Sequence, residues 1–175
     1  MNLLVNNTIR LRALEPEDLD LLFSVENNPE FWEVSSTQTP FSRALLQKYI
    51  DNAHMDLYEA KQLRLVIAEQ DSGTAMGIVD LFNYEPMHQR AGVGVLILEQ
   101  FRNKGIATQA LKLFIEYAFT HLELHQLYAN VLSDNMQSIR LFENLNFEKI
   151  GRKKDWIKFK ETFKNVELYQ LIDQK

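Results

Sequence analysis

Residues 100–107 read Gln100-Phe101-Arg102-Asn103-Lys104-Gly105-Ile106-Ala107, and the segments on either side of them decide the fold. Ahead lies Ala91-Gly92-Val93-Gly94-Val95-Leu96-Ile97-Leu98, nearly uncharged and rich in β-branched residues, which predicts a central strand buried on both faces. Behind, Gly105 to Phe119 places Ile106, Ala110, Leu113, Phe114 and Tyr117 on one helical face. A helix that starts directly after a buried strand presents unpaired N–H groups and about half a positive charge, an anion site before any side chain contributes. Gly105 and Ala107 keep the turn thin, and Arg102 and Lys104 add charge-assisted contacts. The segment is neither a P-loop nor a G-x-G-x-x-G fingerprint. Taken alone, it also suits an ordinary helix start with solvated basic side chains.

Downstream, Leu127 to Leu132 predicts a second buried strand, Asn135 to Leu145 an amphipathic helix, and Phe147 to Arg152 and Val166 to Ile172 closing strands. Asp134 and Asn135 can cap that helix, and Asn146 stands where a left-handed residue ends it. Asn135 could instead turn its amide to a ligand, and spacing does not separate the two roles. Upstream, Thr8 to Arg12 alternates as a half-buried strand. Pro16 opens a helix that Asn27-Asn28-Pro29 stops, and a second helix is expected from the cap Ser42 to about Glu59, with Leu45, Leu46, Tyr49, Ile50 and Ala53 as its apolar stripe. Residues 30–41 carry no clear period and read as a loop or a short turn of helix. Leu63 to Ala68 and Ala75 to Phe82, joined by Asp71-Ser72-Gly73, form an antiparallel hairpin. No repeat or linker divides the chain, so residues 1–175 are expected to form one domain.

The 175 residues are 46% hydrophobic, 25% charged and 11% aromatic, within the range of globular proteins. A chain of this size buries about 70% of its unfolded surface and needs no staples. The absence of cysteine excludes disulfides, thiolate metal sites and cysteine nucleophiles. No metal is called for. Met1 to Val5 is too short for a signal peptide and no stretch has the length of a membrane span, so a cytoplasmic protein with no membrane association is expected. The net charge of −5 divides unevenly. Residues 1–100 carry 15 Asp and Glu against 7 Lys and Arg, and residues 101–175 carry 9 against 12. An acidic front suits a cationic partner and a basic rear an anionic one, although such an imbalance also arises from solvated surface. Nucleic-acid binding is disfavoured by the acidic total.

Two segments together resemble the GNAT superfamily of acyl-CoA-dependent N-acetyltransferases. Arg102-Asn103-Lys104-Gly105-Ile106-Ala107 fits its (Q/R)-x-x-G-x-(G/A) signature at the strand-to-helix turn, and Asn135, Ser138, Leu141, Leu145 and Phe147 fall on its N-x-x-S-x-x-L-(Y)-x-x-x-G-F segment. From Ile9-Arg10-Leu11-Arg12 to Val166-Glu167-Leu168-Tyr169 the chain is similar to the branch of spermidine N-acetyltransferases and ribosomal-protein alanine N-acetyltransferases. The resemblance implies an α+β fold, a mixed sheet of about seven strands with helices on both faces. It also implies a splay between the strands at 91–98 and 127–132, where the pantetheine arm of acetyl-CoA pairs with Val95, Leu96 and Ile97 like an added strand. The pyrophosphate would lie on residues Arg102, Asn103, Lys104, Gly105, Ile106 and Ala107, with Asn135, Ser138 and Phe142 along the arm. A neutral amine would attack the thioester directly, its oxyanion held by a backbone N–H of the central strand.

The sequence departs from this family at positions that bear on its chemistry. Phe142 stands where many members have a tyrosine that protonates the departing thiolate, a role that water, Tyr128 or Tyr84 could take. Asn83 and Gly92 stand where spermidine acetyltransferases have acids. Glu26, Glu30 and Glu33 could attract a cationic acceptor, with Phe31 and Trp32 walling its pocket; Asp80, Glu85 and His88 are candidate bases. Each of these residues also suits a structural role, as a solvated charge, a cross-strand partner or a turn residue. The leading expectation is acetyl transfer to a primary amine of a small molecule, polyamine-like or an amino compound. Acetylation of a protein amino terminus, an acyl-CoA sensor without turnover and an interaction domain that has lost the cofactor are the alternatives. A homo-oligomer is compatible with the branch.

Overall fold

Gly73, with φ at +73°, closes the turn between β2 (Leu63–Glu69) and β3 (Ala75–Glu85), the expected hairpin. In the computed structural model, which describes residues 3–35, 37–53 and 55–174 and only the backbone of Glu33 and Val34, this hairpin lies in a seven-stranded sheet. The other strands are β1 (Ile9–Arg12), β4 (Arg90–Ile97), β5 (Gln126–Leu132), β6 (Glu148–Phe159) and β7 (Thr162–Ile172), in the spatial order β1-β2-β3-β4-β5-β7-β6. All neighbours are antiparallel except β4 and β5. The parallel pair needs a crossover, and α5 (Ile106–Thr120) supplies it.

Strand alternation sorts the core onto two faces. Val66 and Ile78 pack with Leu22 and Val25 of α1 (Leu19–Glu26) and with Leu46 and Ile50 of α3 (Arg43–Asp51). Leu65, Ile67, Val79 and Leu81 point the other way, to Ala110, Leu111 and Phe114 of α5 and Phe142 of α6 (Met136–Asn144). Helices therefore cover both faces, as expected for the mixed α+β sheet.

Several local expectations are corrected. The segment from Ser42 to Glu59 is two helices, because α3 ends at Asn52 and Asp56, whose Oδ1 accepts from the Tyr58 amide at 2.6 Å, starts a new one, α4 (Leu57–Ala60). Leu45, assigned to the buried stripe, is half exposed, since the stripe turns through Leu46 and Ile50. Pro16–Asp18 forms a 3-10 turn ahead of α1, and Pro29–Ser35 is a short helix, α2. β6 and β7 run well beyond the expected strands; their outer half pairs mainly with itself and is solvated, so no apolar period marks it.

Candidate active site

β4 is buried over its first half only. Ala91, Gly92 and Val93 are covered, whereas Gly94 to Ile97 are half-buried, a departure from the fully buried strand read from its composition. The cause is the partner strand. β4 and β5 pair at Arg90 with Gln126, Ala91 with Leu127 and Gly92 with Tyr128, and then separate. The expected splay is therefore present. Leu98 N–H donates to Met76 O at 2.9 Å, so by the two-residue alternation of an antiparallel ladder the amides and carbonyls of Val95 and Ile97 point away from β3 into the split.

At the end of β4 the chain makes a 3-10 turn over Glu99–Phe101 and enters α5 through two left-handed residues, Asn103 at φ +60° and Gly105 at φ +73°. Gly105 is the N-cap, so no side-chain oxygen caps the helix, and its first turn carries no acid. The first bond back to the loop runs from Gln109 N–H to Gly105 O at 3.1 Å. The amides of Ile106, Ala107 and Thr108 precede that bond and lack an intrahelical acceptor. A Cβ placed on Gly105 would meet nothing within 4 Å, so this surface is open. Arg102 turns back from the loop, its Nε donating to Ile97 O at 3.1 Å and its Nη2 lying 3.7 Å from Glu30. Asn103 Oδ1 accepts from Gln137 Nε2 at 3.1 Å, which ties the loop to α6.

α6 borders the other side of the split. Its N-cap Asn135 accepts from the Ser138 amide at 3.1 Å, so the side-chain oxygen is engaged in capping. Phe142 is buried and stands edge-on to Phe147 at 5.1 Å between centroids.

On the opposite face, Arg64 reaches three carboxylate oxygens. Its Nε and Nη2 donate to the two oxygens of Asp80 at 2.7 and 3.0 Å, and its Nη1 to Glu26 at 2.5 Å. Asp80 pairs in register with Arg64 on β2 and with Gly94 on β4, so the triad lies level with the opening of the split. Tyr49 of α3 covers the guanidinium at 5.7 Å. Burial raises the Tyr49 phenol, with Asp80 and Glu26 acting in the same direction and Arg64 against it.

A cleft of about 730 Å³ joins these parts and passes from one face of the sheet to the other. It brings together Glu26, Glu30, Asp80, Val95, Leu96, Ile97, Arg102, Ala107, Asn135, Ser138 and Phe142 among the residues singled out in the sequence. Asn103, Lys104 and Gly105 lie on the adjoining loop, and Ile106 opens α5. Trp32 donates from Nε1 to Glu26 O at 2.8 Å, bracing α1 against α2. Glu85 and Tyr128 line a separate hollow with Arg90, which binds Glu85 at 3.0 Å. His88 ends the 3-10 turn at Pro86–His88. Tyr84 is buried and meets Tyr58 edge-on at 5.5 Å, and its phenol is pushed up to about 12 by burial and by Tyr58. The Glu33 side chain lies outside the described residues. Sequence reasoning missed Arg64, Tyr49 and Phe82; the available signal was Arg64, a cation inside the apolar run Leu63 to Ala68.

The profile of the Acetyltransferase (GNAT) domain family matches residues 8–148. The chain belongs to the GNAT family. It is 28% identical over 148 residues to spermidine N(1)-acetyltransferase of Escherichia coli K12, covering 83% of this chain and 75% of the relative. It is 25% identical over 180 residues to the putative ribosomal N-acetyltransferase YdaF of Bacillus subtilis, covering 98% of this chain and 94% of that one. Among solved structures, spermidine N-acetyltransferase from Vibrio cholerae in complex with CoA and spermine superposes with a TM-score of 0.86 at 23% identity, over 95% of this chain and 96% of that one. As a GNAT protein the chain is an N-acetyltransferase, and acetyl-CoA is the donor such enzymes use. The residues present fit that donor: a thin loop with open amides suited to a pyrophosphate leads to a split where β4 turns backbone groups away from β3, toward the space an extended arm would fill, with the Ile97 carbonyl bound by Arg102.

Proposed function

We propose that this GNAT protein transfers an acetyl group to the primary amine of a small molecule, within the class that runs from simple amino compounds to polyamines. The observation that carries this reading is the through-going cleft, with an anion-binding loop toward one face and the carboxylates Glu26 and Asp80 toward the other. Acetyl-CoA, when bound, supplies an acyl group activated as a thioester, whose thiol of pKa about 8.5 leaves readily.

The chain's own residues bind, align and move protons. The amides of Gly105 to Thr108, with Lys104, hold the pyrophosphate. Val95 and Ile97 offer backbone groups to the pantetheine amides, and Val95 N–H is the donor available to the acyl carbonyl oxygen. Arg102 occupies the Ile97 carbonyl, so it must yield that oxygen or share it. An alkyl ammonium of pKa about 10.4 must lose a proton before it attacks. Asp80 attracts the cation and takes that proton directly or through water. Phe142 has no proton to give, so the thiolate is protonated by water in the open cleft. Glu85 and Tyr128, in the separate hollow, act only at a distance in this scheme.

The reading includes a cytoplasmic, self-associating protein. Among the described residues no helix is long and apolar enough to cross a membrane, and a dodecameric spermidine N-acetyltransferase structure from Vibrio cholerae superposes with a TM-score of 0.80. The experiment is coenzyme A release from acetyl-CoA, followed with a thiol reagent, across polyamines, amino acids, amino sugars and short peptides. The chain has no cysteine and stays silent in that assay. Release with a small amine supports the proposal; silence with all of them, or release with peptide termini alone, overturns it.

A further inference from the structure

Three features of the acceptor face narrow the amine, and the narrowing rests on the small-amine reading above. The first is charge. Among the described residues, the charged side chains lining the cleft are Glu26, Glu30 and Asp80 against Arg64 and Arg102, an excess of one negative charge. Three of the five, Glu26, Arg64 and Asp80, are joined in short pairs, and Glu30 lies 3.7 Å from Arg102. One ammonium is matched by this balance. The further charges of a polyamine would meet guanidinium groups instead.

The second feature is the floor. Asp80, Phe82 and Gly92 lie on one face of the sheet, since Phe82 pairs in register with Gly92 and stands two residues from Asp80. The Phe82 ring is laid across β4: a Cβ on Gly92 would sit 2.2, 2.5 and 2.7 Å from three of its atoms, and one on Gly94 would sit 3.9 Å from a fourth. Its edge then meets Tyr128 on β5 at 5.9 Å and 87°, where the two strands part. Any side chain at position 92 would displace the ring. The two glycines thus let an aromatic surface pave the mouth of the split, beside the level at which Asp80 would take the proton.

The third is the wall. Phe31 and Tyr49 also line the cleft, each stacked with a guanidinium, Arg102 over Phe31 and Arg64 over Tyr49, both at 5.7 Å. A pocket with a single uncompensated negative charge and aromatic surfaces on two sides recognises an ammonium joined to an apolar body, through burial of that body and through cation–π attraction.

We infer that the acceptor is a monoamine carrying an apolar, preferentially aromatic, body, and that Phe82, seated on Gly92, is the specificity-determining residue. The test compares kcat/KM for 2-phenylethylamine, n-butylamine and spermidine with the wild-type chain, then repeats the first two with Phe82→Leu. The expected order places 2-phenylethylamine about tenfold above n-butylamine and further above spermidine, a preference of the size one aromatic contact supplies. In Phe82→Leu the ratio of the first to the second falls several-fold. Spermidine as the best substrate, or an unchanged ratio in the variant, overturns the inference while leaving the small-amine reading standing. Silence toward every amine, with coenzyme A still bound, overturns both. The wild-type comparison decides the matter even where the variant fails to fold.

Discussion

Arg64 grips Asp80 through two parallel bonds, Nε to Oδ1 at 2.7 Å and Nη2 to Oδ2 at 3.0 Å, while its remaining Nη reaches Glu26 on α1. The one guanidinium therefore fastens α1 to the sheet and holds both carboxylates. Replacing Arg64 by Met keeps the stem and leaves two carboxylates without their partner. Arg64 and Glu26 are largely buried, so the change is expected to destabilise by about 2 to 3 kcal/mol and to lower Tm by several degrees. Thermal unfolding reads this out, and a shift under a degree would contradict it.

Asp18 predicts a pH dependence. Burial alone would push its carboxyl up, but the two bonds from Arg12, at 2.7 and 2.9 Å, and the Glu15 amide at 2.9 Å outweigh it and bring the carboxyl below the ordinary carboxylate value. A carboxyl held lower in the folded chain than in the unfolded one stabilises above the unfolded value, and that stability is lost as pH falls through the folded one. The wild type should therefore lose Tm as pH drops below the normal carboxylate range, and Asp18→Asn should start lower at pH 7 and fall less steeply.

Gly105 combines a left-handed φ of +73° with an open surface. Gly105→Ala should fold at a cost of about 1 kcal/mol from the backbone alone. Gly105→Trp should in addition cover the amides of the loop and raise the coenzyme A dissociation constant by more than about tenfold, that is by more than 1.4 kcal/mol. Equilibrium binding to the folded variant checks this, and unchanged affinity would show that the pyrophosphate lies elsewhere.

Phe142 lines the cleft with its ring edge-on to Phe147. Phe142→Tyr should leave kcat unchanged or raise it, because the added hydroxyl offers the thiolate a proton. A large loss would mean that the ring's own packing governs the site. Phe142→Ala, by contrast, removes a buried ring and should cost about 3 kcal/mol of stability.

Asn135 separates capping from ligand contact. Asn135→Ala should cost about 1 kcal/mol through the lost bond to the Ser138 amide, and Asn135→Asp should restore it. If the side chain also serves the donor, the Asp variant will regain Tm but not coenzyme A affinity; recovery of both would leave Asn135 a cap alone.

The elements on the two sides of the split were legible in the chain because they are amphipathic or fully apolar. The run at Ala91 to Leu98, the stripe of α5 and the cap at Asn135 carry their signals locally. The N-terminal helices were read less well. No gap in the apolar pattern from Ser42 to Glu59 marks the break, which is made by the short polar residues Asn52, the C-cap of α3, and Asp56, the N-cap of α4. The long β6 and β7 were likewise hidden, because a solvated hairpin needs no apolar period.

What the sequence by itself determined is the turn into α5: a glycine at the start of the helix, the small Ala107 two residues on and an apolar strand ahead of it are short-range facts. Only the tertiary structure decided the charged cluster on the other face of the cleft. Glu26, Arg64 and Asp80 are separated by 38 and 16 residues along the chain and meet through the packing of α1 on the sheet and the register of β2 on β3. Phe82 lies flat over Gly92 because position 92 has no Cβ, and that contact exists only between strands already in register. Local backbone preference writes the first kind of feature into a few residues, whereas the second kind arises where distant side chains compete for the same space and charge.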